Sequence, residues 1–346
     1  MRAWPECIAD EASLNEVLSA PSPALLSLMQ RLQGDILVLG IGGKMGVTLG
    51  LSAVRALREA GVDKTVYGVS RFSDARVRSV LDAGGVRTLS CDLLDPRAVA
   101  ELPRVRNVIY MVGRKFGTDG REALTWATNV SVPSTVVDLF RESRIVAFST
   151  GCVYPLVTAT AGGCTEATPP SPVGEYGQSC LGRERIFEYG SRAYGTPVCL
   201  LRLNYAVDLR YGVLHDIGQA VYAGEPIDLT VSHVNVIWQG DANRQALQAL
   251  ELCASPPAVL NVTGPETASV RFIAEILAEA FGREALFTGD EGQGRMYLSN
   301  ASQAAALFGY PSVPLLTMIG WQADWIARGQ PSLGKPTHYE VVDGQF

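Results

Sequence analysis

Histidine, lysine and closely spaced cysteine are scarce in this chain, and their scarcity excludes several classes of function. Its 346 residues include three histidines, four lysines and seven scattered cysteines, none of them in a Cys-x-x-Cys pair. Protein zinc sites need closely spaced cysteine and histidine ligands, so the sequence predicts no metal site. The formal net charge of −6, without any basic run, argues against binding to nucleic acid or to a membrane surface.

Long apolar runs are also missing. No segment approaches the roughly 20 apolar residues that a membrane-spanning helix needs, and the first residues lack the basic-then-apolar order of a secretion signal. An odd number of dispersed thiols is typical of a reducing compartment. We therefore expect a globular protein of the cytoplasm.

Between residues 34 and 204 the sequence alternates short apolar runs with segments of helical spacing. The apolar runs lie near 36–39, 65–69, 86–90, 107–112, 145–149 and 198–203. Strand, helix and strand in this repeated order indicate a parallel sheet with helices on both faces. The sequence thus predicts an α/β fold, a Rossmann-like doubly wound parallel sheet with a smaller C-terminal substrate lobe.

The same pattern divides the chain into segments. We expect a helical preamble, a dinucleotide-binding domain, a substrate lobe in two pieces and a tail, and two later apolar runs are expected to return to the main sheet. The preamble spans 1–33, the dinucleotide-binding domain 34–204, the substrate lobe 205–233 with 264–335, and the tail 336–346. The two returning runs lie near 234–238 and 259–262.

A glycine-rich turn follows the first apolar run and precedes a helix. It reads Gly40-x-x-Gly43-x-x-Gly46, with Lys44 and Met45 between its last two glycines. Glycines in this context allow a tight turn and close approach of a pyrophosphate to the helix N-terminus. The turn therefore predicts a dinucleotide site.

The ends of the second and third strands bear on the adenosine half of that cofactor. The second strand ends in Ser70 and Arg71 rather than in an acidic residue that would hold the ribose hydroxyls of NAD. A guanidinium can pair with a 2′-phosphate, so we expect NADP, with NAD possible; Arg71 could instead only stack on the adenine. Asp92 and Leu93, after the third strand, are expected near the adenine.

Further segments complete a resemblance to the extended short-chain dehydrogenase/reductase family, which contains the NAD-dependent epimerases and dehydratases of nucleotide sugars. The resemblance covers about residues 35–328. The segments that carry it are the glycine turn, Asp92-Leu93, Asn129, Ser149 to Tyr154, Tyr176 to Cys180 with Glu184, Arg202 to Tyr205, Asn261 to Glu266, and Trp321.

The resemblance implies an enzyme that moves a hydride between a nicotinamide cofactor and a sugar or nucleotide-sugar carbon. Thr150 and Tyr176 fall at the family's catalytic positions, where the tyrosine exchanges a proton with the substrate oxygen. Family helices near 121–141 and 175–194 imply a homodimer. The remaining cofactor contacts are expected from Val112, Gly113, Lys115, Asn129 and Ser149, in addition to Tyr176.

One position departs from the family pattern. The family has Tyr-x-x-x-Lys, but Cys180 stands four residues after Tyr176. A neutral thiol neither grips the ribose nor lowers the pKa of the tyrosine, so a cation must come from elsewhere. We expect Lys115 first and Arg183 second as the substitute.

The reaction and substrate are less well defined by the sequence. Gly151 and Cys152 follow the catalytic threonine where the family's dehydratases carry acidic residues, which disfavours elimination of water. Asn204 and Arg295 are expected to bind substrate, as a free sugar, sugar acid, polyol or nucleotide sugar. Because Cys180 removes the lysine, the alternative is a non-catalytic dinucleotide sensor or scaffold.

Overall fold

A computed structural model describes residues 4–115, 120–292 and 294–344, so residue 293 of the predicted substrate lobe and the outermost residues of the predicted preamble and tail lie outside the described residues. The strands are β1 (Ile36–Leu39), β2 (Val66–Ser70), β3 (Arg87–Ser90), β4 (Asn107–Tyr110), β5 (Arg144–Thr150), β6 (Val198–Leu203), β7 (Ala206–Val207), β8 (Ile227–Asp228), β9 (His233–Val234), β10 (Ile237–Trp238), β11 (Ala258–Val262), β12 (Ala268–Ser269) and β13 (Phe287–Thr288). The α-helices are α1 (Glu11–Leu18), α2 (Pro23–Arg31), α3 (Gly46–Glu59), α4 (Ala75–Ala83), α5 (Pro96–Ala100), α6 (Glu122–Trp126), α7 (Val132–Leu139), α8 (Gly174–Tyr194), α9 (Val213–Ala223), α10 (Gln239–Gln248), α11 (Val270–Phe281), α12 (Ser302–Phe308) and α13 (Leu315–Ala327).

Seven strands form one parallel sheet in the order β11-β6-β5-β4-β1-β2-β3. All four residues of β1 are buried, because helices cover both faces of the sheet and leave no polar side for an alternating pattern. The predicted Rossmann-like α/β fold is confirmed. The strand order reverses between β1 and β4, and a crevice at such a switch point is where this fold binds its ligands.

Alternate residues of β1 enter two separate cores. Ile36 and Val38 pack with side chains of α2, α3 and α10 on one face of the sheet. Leu37 and Leu39 pack with side chains of α5, α7 and α8 on the other face. This alternation fixes which helix ends surround the carboxyl edge of the strands, where the glycine turn lies.

A third core belongs to the C-terminal lobe. It joins α9, α11 and α13 with Leu14 and Leu18 of α1, and it contains the buried rings of Trp238 and Trp321. The N-terminal segment is therefore shared between the lobes, since α2 packs on the sheet and α1 on the C-terminal lobe. Among the described helices, none is long and apolar enough to cross a membrane.

The segment 234–238 does not return to the main sheet, so that prediction is wrong. β9 pairs antiparallel with β12, and β10 pairs in parallel with β7, each over two residues. Asn235 separates them, because its side chain donates to the carbonyl of Glu266 and accepts from the backbone N–H of Ser299. β11 takes the place beside β6 at the edge of the sheet.

The predicted helix at 121–141 is interrupted. A π-helical turn, Ala127–Ser131, joins α6 to α7, and the backbone N–H of Val132 donates to the carbonyl of Ala127, five residues back. Pro133 follows immediately and has no N–H for an α-helical bond to residue 129. The extra residue of this turn rotates Asn129 toward the interior, where it is fully buried.

The predicted tail is packed against the molecule. Residues 331–344, called the C-terminal strap below, leave α13 and cross the gap between the two lobes. The backbone N–H of Leu333 donates to the carbonyl of Arg210 at 3.0 Å, and Tyr339 is only 7% exposed. At the far end, Gly344 contacts Gly174 so closely that a Cβ on Gly174 would meet the Gly344 oxygen at 2.6 Å.

Candidate active site

A cavity of about 380 Å³ lies at the carboxyl edge of the sheet, between the nucleotide-binding domain and the C-terminal lobe. The sequence-predicted residues that line it are Gly40, Gly43, Lys44, Met45, Gly46, Gly113, Lys115, Ser149, Thr150, Tyr176 and Asn204. The sequence-predicted residues outside its lining are Ser70, Arg71, Asp92, Leu93, Val112, Asn129, Cys180 and Arg295. The structure thus brings the glycine turn and the two hydroxyl residues to one space.

The glycine turn is shaped for close approach of a ligand. Gly40 has a φ of +84°, in the left-handed region, and a Cβ on Gly46 would lie 2.4 Å from the carbonyl oxygen of Ile41. Met45 caps α3 without any side-chain hydrogen bond. The first N–H groups of α3 therefore face the turn without a capping side chain, which is the arrangement that binds a pyrophosphate.

The end of β2 lies beside this turn. A Cβ on Gly42 would approach the Ser70 hydroxyl oxygen to 2.6 Å, so the strand end and the turn are in contact. Arg71 is exposed and makes no hydrogen bond or ion pair with the described residues, whereas Arg76 pairs with Asp74. Arg71 is therefore available to a ligand at this edge.

Asp92 and Leu93 follow β3 at the same edge of the sheet. The carboxylate of Asp92 accepts from the backbone N–H of Leu94 at 3.1 Å, which fixes the loop in an Asx turn, and Leu93 is buried. The next carboxylate, Asp95, caps α5 by accepting from the backbone N–H of Arg97.

Thr150 and Tyr176 both line the wall of the cavity, and the Thr150 hydroxyl lowers the pKa of Tyr176. Thr150 is the last residue of β5, and its hydroxyl oxygen accepts from the backbone N–H of Cys152 at 3.1 Å. Tyr176 lies in the first turn of α8. A strand end and a helix start from different parts of the chain thus present two hydroxyl groups to the same space.

The ionisation of Tyr176 depends on its neighbours. Burial raises the pKa of Tyr176 well above its ordinary value, and Cys180 and Cys152 raise it further, while Arg183 and the Thr150 hydroxyl lower it. Burial likewise raises the pKa of Cys180 to about 11. The thiol at the family's lysine position is therefore neutral near pH 7 and brings no positive charge.

Lys115 lies across the cavity from α8. Its ammonium nitrogen is 6.0 Å from the centroid of the Tyr176 ring and donates to the carbonyl of Thr337 in the C-terminal strap at 3.1 Å. Burial lowers the pKa of Lys115. The strap itself is fixed here, because the backbone N–H and hydroxyl of Thr337 both donate to Asp216, at 2.7 and 2.5 Å.

Arg183 also lines the cavity and lies one turn after Cys180 on α8. Its guanidinium donates to the carbonyl of Phe148 at 2.8 Å and to the side-chain oxygen of Asn129 at 2.7 Å. Asn129 in turn accepts from the backbone N–H of Arg114 and donates to the Ser179 hydroxyl. The π-helical turn is what brings Asn129 into this network.

Several residues of the family pattern form a buried network behind the cavity. The Ser149 hydroxyl donates to Glu184 at 2.5 Å, and Arg202 makes two hydrogen bonds to the same carboxylate, at 2.9 and 2.6 Å. The guanidinium of Arg202 lies 4.7 Å from the centroid of the Tyr154 ring, and the Tyr154 hydroxyl donates to Asn261. This network joins β5, α8, β6 and β11 and thereby supports the strand end that carries Thr150.

The substrate side of the cavity is built from residues to which the sequence analysis assigned no ligand contact. Its residues are Cys152, Tyr205, Tyr211, Gly212, Val213, Gln239 and Thr337. Lys44 spans to this side, with its ammonium nitrogen 3.1 Å from the centroid of the Tyr211 ring. Burial, followed by the charges of Lys335 and Lys115, lowers the pKa of Lys44 to about 7.

Of the two predicted substrate contacts, one lines the cavity and the other does not. Asn204 lines the cavity and donates to the carbonyl of Tyr297 at 3.2 Å. Arg295 is exposed and outside the lining, although it directly precedes the buried run that begins at Met296. Two other arginines of this lobe, Arg210 and Arg271, form ion pairs with Asp208 and Glu291.

Backbone strain collects at this edge of the molecule. Among the described residues, the non-glycine residues with positive φ are Phe72, Tyr205 and His338, at 49°, 41° and 53°. Each directly follows a candidate ligand-binding residue, namely Arg71, Asn204 and Thr337. Left-handed backbone is costly for such side chains and is typical of functional sites, and nothing in the sequence marks it in advance.

Comparison with known proteins gives a family for the nucleotide-binding domain. Residues 36–207 match the model of the NAD dependent epimerase/dehydratase family. The matched segment runs from β1 through β7 and includes the glycine turn, Thr150 and Tyr176. No relative was found among curated protein sequences.

Solved structures share the fold at low sequence identity. UDP-glucose 4-epimerase from Thermotoga maritima, solved with UDP-glucose, is 19% identical with a TM-score of 0.69, and the match covers 85% of this chain and 99% of that one. The dTDP-glucose 4,6-dehydratase from Streptomyces venezuelae, solved with NAD, is 18% identical with a TM-score of 0.71, and the match covers 85% of this chain and 97% of that one. The UDP-glucuronic acid 4-epimerase from Bacillus cereus, also solved with NAD, is 18% identical with a TM-score of 0.69, and the match covers 85% of this chain and 99% of that one.

Proposed function

Because its residues 36–207 place this chain in the NAD-dependent epimerase/dehydratase family, we propose that the protein is an NAD(P)-dependent oxidoreductase or epimerase of a sugar or nucleotide sugar. The observation that carries the proposal is that Thr150 and Tyr176 line the same cavity as the glycine turn. A protein that only binds a dinucleotide needs neither hydroxyl.

The glycine turn fits the pyrophosphate of a dinucleotide. Side chains at Gly40 or Gly46 would fill the space in front of α3, and the uncapped helix start offers its N–H groups there. Lys44, which lines the same cavity, can pair with a phosphate when it is protonated. When bound, the nicotinamide of the cofactor accepts or supplies a hydride.

Thr150 and Tyr176 would act as one unit on the substrate oxygen. Thr150 orients the oxygen through its hydroxyl, and Tyr176 takes or gives the proton as the carbon changes between alcohol and carbonyl. Since burial raises the pKa of Tyr176, the tyrosine is neutral before reaction and is suited to donate a proton to a carbonyl. The site thus favours reduction, or epimerisation through a transient ketone.

Elimination of water is not part of the proposal. Cys152 lines the cavity at the position where the family's dehydratases carry an acidic group, and burial raises the pKa of its thiol. A neutral thiol is a poor acid for a leaving hydroxyl at neutral pH. We therefore assign the chain to the epimerase and oxidoreductase chemistry of the family.

The proposed cofactor is NADP, with NAD as the alternative. NAD is bound in the dehydratase and glucuronic acid epimerase structures that resemble this chain. The end of β2 nevertheless carries Ser70 and no carboxylate that would face the ribose 2′ position. The guanidinium of Arg71, which has no partner among the described residues, offers a cation for a 2′-phosphate.

The proposed substrate class follows the fold relatives, which were solved with UDP-glucose or a UDP-glucuronic acid analogue. We further propose a homodimer through α6, α7 and α8, as the family resemblance implies, and a cytoplasmic location, because all seven cysteines are free thiols. A sensor or scaffold without catalysis is the second candidate, and the neutral, buried Cys180 favours it.

Replacement of the tyrosine separates the two candidates. We expect Tyr176→Phe to lower turnover by about 10²–10⁴, the usual contribution of a positioned acid or base, with little change in dinucleotide affinity. Turnover is measured on UDP-glucose, UDP-glucuronic acid and a panel of free sugars, with nicotinamide absorbance and product chromatography. Tyr189→Phe, an exposed tyrosine of the same helix, is the matched control.

Binding of NAD(P) without turnover of any sugar by the wild type would support the sensor. Equal turnover by Tyr176→Phe and wild type on an accepted substrate would overturn the proposed roles.

A further inference from the structure

The position of the family's lysine carries no charge in this chain. Cys180 is fully buried, and burial raises its pKa to about 11. A tyrosine that must lose and regain its proton in a buried site needs a nearby cation to stabilise the phenolate. The charge must therefore come from a side chain outside the motif.

Arg183 has the geometry for this role. It lies on the same helix as Tyr176, is 5% exposed, and lines the cavity. The chain leaves room for it, because a Cβ on Gly113 would come within 2.7 Å of its terminal nitrogen. Phe148 and Asn129 fix two of its nitrogens, and its Nε has no hydrogen-bond partner among the described residues.

The hydrogen-bond partners of Arg183 carry no charge, although the Glu184 carboxylate raises its pKa. A backbone carbonyl and an amide oxygen are neutral acceptors, and the nearest buried carboxylate on α8, Glu184, is already bound by Arg202 and Ser149. A buried guanidinium stays protonated and is costly without a negative partner. An ionised Tyr176 would supply the negative charge that the hydrogen-bond partners lack. A hydroxyl of a bound ligand would accept a hydrogen bond from Nε.

Lys115 is the weaker candidate, in contrast to the order expected from the sequence. Its ammonium donates to the Thr337 carbonyl of the strap. The same nitrogen lies 6.0 Å from the centroid of the Tyr176 ring. Burial lowers its pKa, so part of its charge is lost as the pH rises. An arginine keeps its charge throughout this range.

We propose that Arg183 is the positioning residue that replaces the family's lysine, with its fixed guanidinium stabilising the phenolate of Tyr176. The proposal rests on the proposed function, since it concerns the same tyrosine. The other ionisable groups that face Tyr176 are Cys180 on α8, Cys152 after β5 and Lys115 after β4. Both thiols oppose the phenolate, which leaves Arg183 and Lys115 as the cations to compare.

The test measures the ionisation of Tyr176 directly. A ring-fluorinated tyrosine, which ionises at lower pH than tyrosine, is incorporated at position 176 and titrated by fluorine NMR, with and without NAD. The variants are Arg183→Gln, which removes the charge but keeps a donor, Arg183→Lys, Lys115→Met, and Arg183→Gln with Cys180→Lys.

We expect Arg183→Gln to raise the pKa at position 176 by about one unit or more, the usual effect of removing an adjacent opposite charge. Arg183→Lys should retain most of the wild-type pKa, and Cys180→Lys should restore it in the Arg183→Gln background. Lys115→Met should shift it less than Arg183→Gln does. An unchanged pKa in Arg183→Gln, or a larger shift in Lys115→Met, would overturn the proposal.

A second measurement separates this inference from the proposed function. NAD and NADP binding is followed by fluorescence titration, and unfolding in urea shows that each variant is folded. A wild type that binds no dinucleotide defeats the proposed function while the tyrosine titration still decides the role of Arg183. If Arg183→Gln does not fold, Lys115→Met decides: a shift of about one unit or more in Lys115→Met, the size expected for loss of the stabilising cation, would contradict the proposal.

Discussion

At the scale of single residues, Arg71 is the group that we expect to choose between the two dinucleotides. It is exposed at the end of β2, has no partner among the described residues, and follows the strand that touches the glycine turn. We expect Arg71→Ala to weaken NADPH binding about tenfold or more and to leave NADH binding nearly unchanged. A charge-assisted hydrogen bond worth about 1.5–3 kcal/mol accounts for this loss.

Fluorescence titration with both reduced cofactors measures the Arg71 effect. Arg76→Ala is the matched control, because that guanidinium is already paired with Asp74. Equal weakening of both cofactors, or tighter binding of NADH by the wild type, would show that Arg71 stacks on the adenine without discriminating.

Lys44 predicts a pH dependence of cofactor binding. Burial and the charges of Lys335 and Lys115 lower its pKa to about 7, while Asp216 opposes them. The ammonium form is therefore present below about pH 7 and is lost as the pH rises, so attraction for a pyrophosphate decreases in that direction. We expect dinucleotide affinity to fall between about pH 6 and about pH 9, by up to about tenfold per unit.

The comparison that tests this dependence uses Lys44→Arg, which keeps its charge across the range and should flatten the profile. Lys64→Arg is the control, because Lys64 donates to the backbone of α2 far from the cavity. A Lys44→Arg profile as steep as that of the wild type would assign the titration to another group.

Local sequence patterns predicted one half of the candidate site and not the other. The glycine turn, Thr150 and Tyr176 stand at fixed spacing within a few residues of strand and helix ends, so the local sequence is enough to identify them. Thr337 and Tyr211 reach the cavity only because the C-terminal lobe folds over the sheet edge. No periodicity links such residues to the glycine turn, and only the packed structure brings them there.

At the scale of elements, the buried ion pair between α8 and β6 should be one of the most sensitive contacts. Glu184 and Arg202 are 1% and 5% exposed, and removing one charge leaves the other buried without its partner. We expect Glu184→Gln to lower the free energy of unfolding by about 3–5 kcal/mol. Urea unfolding followed by circular dichroism measures the change.

Glu188 supplies the matched control on the same helix. Its carboxylate pairs with Arg185 and Arg192, whose side chains are 58% and 61% exposed, so Glu188→Gln should cost less than about 1 kcal/mol. Similar losses for both variants would mean that the buried pair contributes no more than a surface pair.

The helices were predicted better than their irregularities. The strands predicted for the main sheet up to residue 203 begin within two residues of their predicted positions, because their apolar runs are local. The π-helical turn at Ala127–Ser131 was missed, although Pro133 gave a signal, since a proline inside a helix disrupts the bond four residues back. β9 and β10 were misplaced because two-residue strands carry no pattern that distinguishes one sheet from another.

At the scale of the whole molecule, the proposed homodimer has a testable surface. Leu124 and Trp126 on α6 and Tyr189 on α8 are 39%, 37% and 61% exposed, and these helices lie together on one face of the sheet. We expect sedimentation velocity to show a dimer, and Tyr189→Glu to shift it toward a monomer. An isologous interface loses two contacts with one substitution.

Leu316→Glu is the control, since Leu316 is 60% exposed but lies on α13 in the other lobe. A wild type that sediments as a monomer at all concentrations would contradict the dimer. Equal dissociation by Leu316→Glu would place the interface elsewhere.

The C-terminal strap has a consequence for how long a ligand stays bound. It is fixed at Arg210, at Asp216 and against Gly174, so it spans the opening between the lobes at three points. Thr337 of the strap lines the cavity, so we expect loss of its hydrogen bonds to Asp216 to shorten the residence time of a molecule bound there. We expect a peptide fused behind the strap to shorten that residence time without touching any residue of the sheet.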